Sequence, residues 1–476
     1  MPRPGGKARR RMGTPRGRLQ ILAGVGAIAL GVAILYLRDP HSLLTPTLYT
    51  EDGVWMARLF NAGFWHTLIH AKGGETPYFV TLNILLLQAA KTLNALCFGD
   101  SLAHLPRFVS VLAMAFYATL AVLVVRLLRR WLSPATACLL WTLVIFMPLG
   151  GSSFEVLGRV SNIGYGMLCL CSCLLVWRRT ADRSRPGAIV AADAGVLLCA
   201  TTNPLCYPVI AADYAYRGWR LWTSGAGVVA TVRRSAAATS GAVCGIALAA
   251  SVVAMTQLEP RPTEYLLDAL DPDGLIEALA ARPILYPLVF PWYGRLDDAV
   301  AVAGVLALAA LAWWLTAEAR GPRGVVVATA ALAGYASLAT IATRPGLTGV
   351  LDHYRTTLLD RYYYGTSLLV VVAVCVAASA GLRGALPARR RVAAAALAAL
   401  GVTYAAYLGD LVEFRRSRWH DPPPESFAVA VASAAAVAPA DADRVRVQLH
   451  PRSWRARFPA RNARATSTAL LPGTPR

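Results

Sequence analysis

Apolar residues in this chain come in blocks, and the gaps between the blocks alternate in charge. The first block, Leu19 to Leu37, carries no charge over its whole length. As a helix rising about 1.5 Å per residue it is roughly 28 Å long, close to the ~30 Å hydrocarbon core of a bilayer. Comparable blocks follow at 107–128, 134–150, 161–177, 187–201, 204–216, 236–256, 298–316, 324–342, 363–382 and 392–409. The pattern predicts an all-α fold, a polytopic bundle of about eleven transmembrane helices. A cleaved secretory leader has a shorter apolar core and a small-residue cleavage site. Here Leu37 runs straight into Arg38, Asp39 and Pro40, so the first block reads as an uncleaved anchor.

Lys and Arg near the spans set orientation. One alternating set of gaps holds Arg126, Arg129 and Arg130; Arg178, Arg179, Arg183 and Arg185; Arg217, Arg220, Arg233 and Arg234; Arg320 and Arg323; and Arg383 with Arg389, Arg390 and Arg391. Only Asp182, Asp193, Asp213 and Glu318 are acidic on that side, and all seven histidines fall on the other. The basic side, with the Arg-rich leader 1–18, is expected in the cytoplasm. The transmembrane domain then covers 19–409, and a tail of 410–476 lies outside.

The segment Pro77 to Leu96 is apolar enough to be a twelfth span, yet crossing there reverses every downstream arginine cluster. Thr81, Gln88 and Thr92 share a helical stripe, which favours an amphipathic helix at the outer interface. The first outer loop is thereby 38–106, with interfacial helices at about 54–70 and 77–96. Around Asn203 and Pro204 a turn signal separates two short apolar segments, which suggests a re-entrant or bent hairpin lining a cavity. Within the tail, Arg444 to Leu449 alternates like a short strand, and no fold is assigned to the rest.

Composition changes the picture in two places. The net charge of +21 invites a nucleic-acid reading, but 56% apolar residues in span-length blocks place that charge at a membrane surface, and no nucleic-acid partner is expected. Nearly all the basic residues are arginine, so no single Arg carries weight on its own. The cysteines sit mostly inside apolar blocks. Cys169, Cys171 and Cys173, two apart, spread around a helix axis and read as small buried hydrophobes rather than metal ligands.

Concentrated polar chemistry begins the first outer loop at Tyr49, Thr50, Glu51, Asp52, Gly53 and Trp55. Adjacent carboxylates beside a low-dielectric surface suit proton abstraction from a hydroxyl. Equally, Thr50 is placed to cap a helix whose first turn holds the two acids.

One span, a long outer loop with an acidic pair, two interfacial helices and then a second span together resemble the C-type superfamily of membrane-embedded glycosyltransferases. The likeness covers roughly residues 19 to 383 as an architecture. Its short sequence pieces are Glu51 and Asp52; Phe98, Gly99 and Arg107; Asn203 and Pro204; and Arg361, Tyr362 and Tyr363. The resemblance implies an active site at the acidic pair, with Asp52 or Glu51 as general base, and a polyprenyl-phosphate sugar donor in the outer leaflet. No subfamily of known acceptor matches, so sugar and acceptor stay open.

Such a transfer also needs positive charge where the carrier phosphate leaves, a role suited to arginine. Outer-side candidates are Arg58, Lys72, Arg107, Arg159, Arg295, Arg344, Arg355 and Arg361, the last followed by Tyr362, Tyr363 and Tyr364. An aromatic belt with a snorkelling Arg is the competing explanation for that run. His353, with Asp352 and Arg355, fits acceptor binding or plain solvation. His66 and His70, four apart with Glu75 nearby, have the spacing of metal ligands and admit a divalent metal; two interfacial histidines facing head groups is the simpler alternative. Asp193 and Asp213 lie toward the cytoplasmic ends of their spans, where an acid can reach water. The expected protein is thus a multi-pass plasma-membrane glycosyltransferase contacting membrane lipids, its donor and an unknown acceptor. A transporter or lipid flippase, and a noncatalytic assembly protein, are the rival classes.

Overall fold

The computed structural model describes residues 15–71, 79–149, 156–180, 186–225, 227–231, 233, 270–351, 354, 360–409, 426–450 and 454–470. The main helices are α1 (Pro15–Arg38), α2 (Thr50–Asn61), α3 (Gly63–His70), α4 (Thr81–Phe98), α5 (Leu105–Leu128), α6 (Pro134–Ile145), α7 (Gly164–Thr180), α8 (Pro186–Ala200) and α9 (Cys206–Thr223). After them come the helical stretch α10 (Pro272–Arg295), then α11 (Asp298–Leu315), α12 (Arg320–Thr343), α13 (Asp360–Arg383), α14 (Pro387–Ala406) and α15 (Phe427–Ala436). A two-stranded hairpin, β1 (Arg444–Gln448) and β2 (Arg455–Pro459), leads into α16 (Ala460–Leu470).

The fold is an all-α bundle, and seven of the described helices are long and apolar enough to cross a membrane: α4, α5, α10, α11, α12, Leu19–Arg38 of α1 and Arg361–Arg383 of α13. These mark the chain as a membrane protein. Most of α13 is buried at the centre of the bundle, whereas α1 and α11 bury little of their apolar length and present Leu22, Val25, Leu30, Leu306 and Trp313 outward, as lipid-facing helices do. The apolar block expected at 236–256 lies outside the described residues. The segment expected at 204–216 is part of the longer α9, and α8 and α9, joined by the turn at Asn203 and Pro204, run beside α7.

The charge sorting along the chain is a sorting in space. A Cβ on Gly24 of α1 meets the Arg126 guanidinium at the far end of α5, the Ser133 N–H donates to Ser379 Oγ, and Arg389 pairs with Glu318 at 2.6 Å. The arginine-bearing ends of α5, α12, α13 and α14 and the C-terminal end of α11 therefore meet at one end, opposite the acidic helix α2. Near that end, Arg178 and Arg179 in the last turn of α7 pair with Asp193 and Asp213, and Arg217 reaches Asp213 at 2.9 Å. Asp213 is thus a buried, doubly paired ion rather than an acid reaching water.

Two long apolar helices keep both ends on the α2 side. For α4, the Thr81 N–H donates to Thr201 O at 3.1 Å beyond the end of α8, while Asn94 Nδ2 donates to Ser101 O at 2.7 Å, just before α5. For α10, a straight helix would hold residues 277 and 293 roughly 24 Å apart, yet Tyr293 OH donates to Glu277 Oε1 at 2.9 Å. The stretch doubles back around Pro283 and Pro287. Arg282, fully buried, lies against the rings of Tyr286 and Tyr293 at 4.2 and 4.9 Å.

The tail contains a folded cap. Val445, Val447 and Phe458 of the hairpin turn inward, where Phe458 meets Phe427 of α15 and Phe60 of α2. The cap is clamped to the connection between α1 and α5: Thr50 N–H donates to His450 O at 2.8 Å, His450 N–H to Leu48 O at 3.0 Å, and Leu102 N–H to Thr466 Oγ1 at 2.8 Å.

Candidate functional site

Asp52 lies in the first turn of α2 and is completely buried. Its Oδ2 accepts the Val160 N–H at 3.0 Å, and its Oδ1 has no hydrogen-bond partner among the described residues. Burial, aided by the neighbouring Glu51, pushes the carboxyl up from 3.8 to about 7, against the opposing pull of Arg159 and of the Val160 and Ser161 N–H groups. Thr50 does not cap this helix. The residue before the first turn is Tyr49, with no side-chain cap, and the Thr50 hydroxyl donates to Glu51 Oε2. Glu51 is half-buried, so the two acids occupy different environments.

The loop that faces Asp52, 156–163, is built to present its backbone. Gly158 adopts φ +70°, a left-handed conformation costly for other residues, and packs under Ser42 and Ser110. Asn83 of α4 donates to Val160 O at 2.6 Å and Ser161 O at 3.0 Å, fixing the two peptides that follow the Val160 N–H. In the same loop Arg159 is buried, donates to Thr47 O at 2.9 Å, and lies 5.5 Å from the centre of the Tyr49 ring.

Tyr49 joins this loop to the start of α13. Its hydroxyl accepts from Arg361 Nη1 at 3.5 Å, and Arg361 Nη2 donates to Tyr362 OH at 2.8 Å. Arg344 and Arg361 both stack on the Tyr362 ring, at 4.6 and 4.7 Å, and Tyr165 meets that ring edge-on at 5.8 Å. The result is one buried carboxyl with an oxygen that no described group bonds, three guanidinium groups and three tyrosines at a single end of the bundle.

Of the sequence candidates, Asp52, Glu51, Arg159, Arg344, Arg361 and Tyr362 are brought together. Arg58 and Arg107 are not. Arg58 donates to His70 O and to Ala71 O at 2.8 Å, closing the end of α3. Arg107 binds Leu43 O at 3.1 Å and His104 Nδ1 at 2.7 Å. His353, Asp352, Arg355, Lys72 and Glu75 lie outside the described residues. His66 and His70 stack at 4.4 Å, with His70 Nδ1 bonded to the His66 carbonyl, and no group of three His, Cys, Asp or Glu among the described residues is placed to hold a metal ion.

Sequence reasoning gave Tyr49 no role, although it directly precedes the acids; it is the hub of the cluster. Arg38 marked only the end of the first block. In the structure it is buried and caps α6, donating to Ile145 O and to Met147 O at 2.8 Å. The chain matches no protein-family model, none of the curated proteins and none of the solved structures compared with it.

Proposed function

We propose that the protein is an integral membrane glycosyltransferase that moves a sugar from a polyprenyl-phosphate donor to an acceptor hydroxyl on the outer face of the plasma membrane. The single observation that carries this reading is Asp52: a buried carboxyl near neutral pKa, with one oxygen fixed by Val160 and the other buried without a hydrogen-bond partner among the described residues, close to Arg159. In this reading the arginine end is cytoplasmic, about eleven spans cross the bilayer, and α2, α3 and α4 lie at the outer interface.

The acceptor hydroxyl gives its proton to Asp52 Oδ1 while its oxygen bonds to the anomeric carbon. The bond from that carbon to the phosphate oxygen breaks, and the phosphate departs with the electron pair. Arg159 and Arg361 neutralise the departing charge, which is where fixed cations lower a barrier most. The divergent environments of Glu51 and Asp52 favour Asp52 as the base.

The decisive experiment is sugar transfer from a radiolabelled polyprenyl-phosphate donor in membranes carrying Asp52→Asn, Glu51→Gln or Arg361→Gln. Asp52→Asn is expected to lower kcat at least 100-fold, and Arg361→Gln to raise KM for the donor about tenfold. Undiminished transfer in Asp52→Asn sinks the proposal. The transporter reading draws on the bent α10 with its buried Glu277 and Arg282, since broken helices with polar groups are typical of transporters. Donor-independent lipid translocation in proteoliposomes, abolished by Glu277→Gln, would favour it instead.

A further inference from the structure

The C-terminal hairpin carries an unusual surface. β1 and β2 pair antiparallel, with Arg444 opposite Pro459, Arg446 opposite Arg457 and Gln448 opposite Arg455. Directly opposed residues of an antiparallel pair share a face. One face of the hairpin is therefore Arg444, Arg446, Arg455, Arg457, Gln448 and Pro459, and all four arginines are exposed. None is paired with a carboxylate among the described residues; Arg455 reaches only Gln448 Oε1, at 3.4 Å. Like charges placed directly across a ladder, as Arg446 and Arg457 are, oppose strand pairing unless an anion bridges them. Here they are retained in a strand pair that also clamps the acidic helix.

Beside this face lies a cleft of about 620 Å³ lined by Leu48, Phe427, Ala434, Arg446, Gln448 and Arg455, among others. Thr47 also lines it, and its carbonyl accepts the Arg159 hydrogen bond. The cleft therefore backs onto the peptide strip that holds the candidate site.

We propose that the arginine face of the hairpin, with the adjoining cleft, binds a water-soluble anionic polymer of sugar or polyol units bearing phosphate or carboxylate groups along its chain. Along a strand, same-face side chains repeat at roughly 7 Å, and strands sit about 5 Å apart. That grid of guanidinium groups suits anionic groups repeating along a polymer, each taken by an arginine fork. A membrane surface fits less well. Elements that lie in a bilayer interface insert apolar side chains beneath their basic ones, and the apolar face of this hairpin, Val445, Val447 and Phe458, is already buried within the protein. The binding inference stands on the geometry of the cap; only the further step, that the bound polymer is the sugar acceptor, rests on the transferase reading.

The test is fluorescence anisotropy of labelled poly(glycerol phosphate) with the full-length protein in detergent micelles. Binding should weaken steeply with salt, resist competition by neutral dextran, and fall at least tenfold in Arg446→Gln/Arg457→Gln. Circular dichroism and the thermal midpoint of the double variant show that the cap is still folded. Competition by polygalacturonate as well as by unlabelled polymer supports recognition of anionic groups in general; competition by the phosphate polymer alone narrows the ligand to phosphodiesters. Unchanged affinity in the double variant overturns the inference, and so does tighter binding to phosphatidylglycerol vesicles than to the polymer. Asp52→Asn is expected to keep full polymer binding, so loss of the transferase reading and loss of this inference register in separate measurements.

Discussion

The Val160 N–H donates to Asp52 Oδ2 at 3.0 Å across 108 positions of sequence, holding a carboxyl that burial pushes up to about 7. On the proposed transferase reading Asp52 is the base and must be ionised to work, so transfer should rise with pH through an apparent pKa near 7 and level off above it. Stability runs the other way. A carboxyl whose folded-state pKa exceeds its unfolded value favours folding fully below about 4 and loses that contribution as pH climbs through about 7. Asp52→Asn is expected to abolish transfer while stabilising the fold relative to the parent at pH 8 by up to about 4 kcal/mol, seen as a higher thermal midpoint, with little difference at pH 4. A parent protein whose midpoint is no more sensitive than the variant's between pH 4 and pH 8 would contradict the buried, near-neutral carboxyl.

Gly53 follows Asp52 on α2, and a Cβ built there falls within 2.5 Å of Leu449 Cδ1 in the cap. Exchanging an interior helical glycine for alanine ordinarily gains about 1 kcal/mol. Overpacking a closed contact costs about 1–3 kcal/mol, so Gly53→Ala should be neutral or destabilising, and should loosen the cap. Adding Leu449→Ala removes the obstruction, and the double variant should recover more than the two single effects predict when added. Protease sensitivity of the segment after residue 426 provides the measurement. Strict additivity would show that α2 and the cap do not touch.

The helices were legible because a span-length apolar block has few alternatives, and the basic gaps between blocks carried the end of the bundle to which each belongs. The bent α10 was not, because Arg282, Pro283 and Pro287 interrupt its apolar run, and the burial that accommodates Arg282 comes from Tyr286 and Tyr293 only after the chain folds back. The cap was equally hidden: apart from the alternation at Arg444–Leu449, its residues carry little periodic signal, and its partners, such as Leu48 for His450, lie about 400 positions away. Asp52 and Arg159 could be singled out by residue type and loop position. What separated Arg159 from Arg58 and Arg107 was which carbonyls each guanidinium reaches, and that depends on contacts among distant segments.

Asp213 is a second place where one residue holds several segments. Arg179 of α7 and Arg217 of α9 share its carboxylate, which is 3% exposed. Removing the acid leaves two cations facing each other in a half-buried site. Asp213→Asn is therefore expected to cost about 3 kcal/mol. Asp193→Asn breaks a single, more exposed pair with Arg178 and should cost about 1 kcal/mol or less. Thermal unfolding of the two variants in detergent, followed by size-exclusion fluorescence, should rank them in that order. Equal midpoints would mean that the Asp213 cluster adds nothing to α7 and α9 packing.

Arg217 and Arg220 place the end of α9 at the basic end of the bundle, whereas Asp298, which accepts from Tyr354 OH at 2.6 Å, places the start of α11 at the site end. Because Tyr293 returns to Glu277, α10 leaves the chain on the side where it began. Positions 225 and 270 are therefore expected on opposite sides of the membrane. A reporter active only outside, such as alkaline phosphatase, should work when fused after Leu270 and fail after Gly225, and a cytoplasmic fluorescent reporter should show the reverse. The same pair of reporters after Arg130 and after Gly409 should again give inside and outside. If the fusions after 225 and 270 report the same side, the basic and acidic ends cannot lie on opposite faces of one membrane. Asp52 would then lose the extracytoplasmic setting that a lipid-linked sugar donor requires.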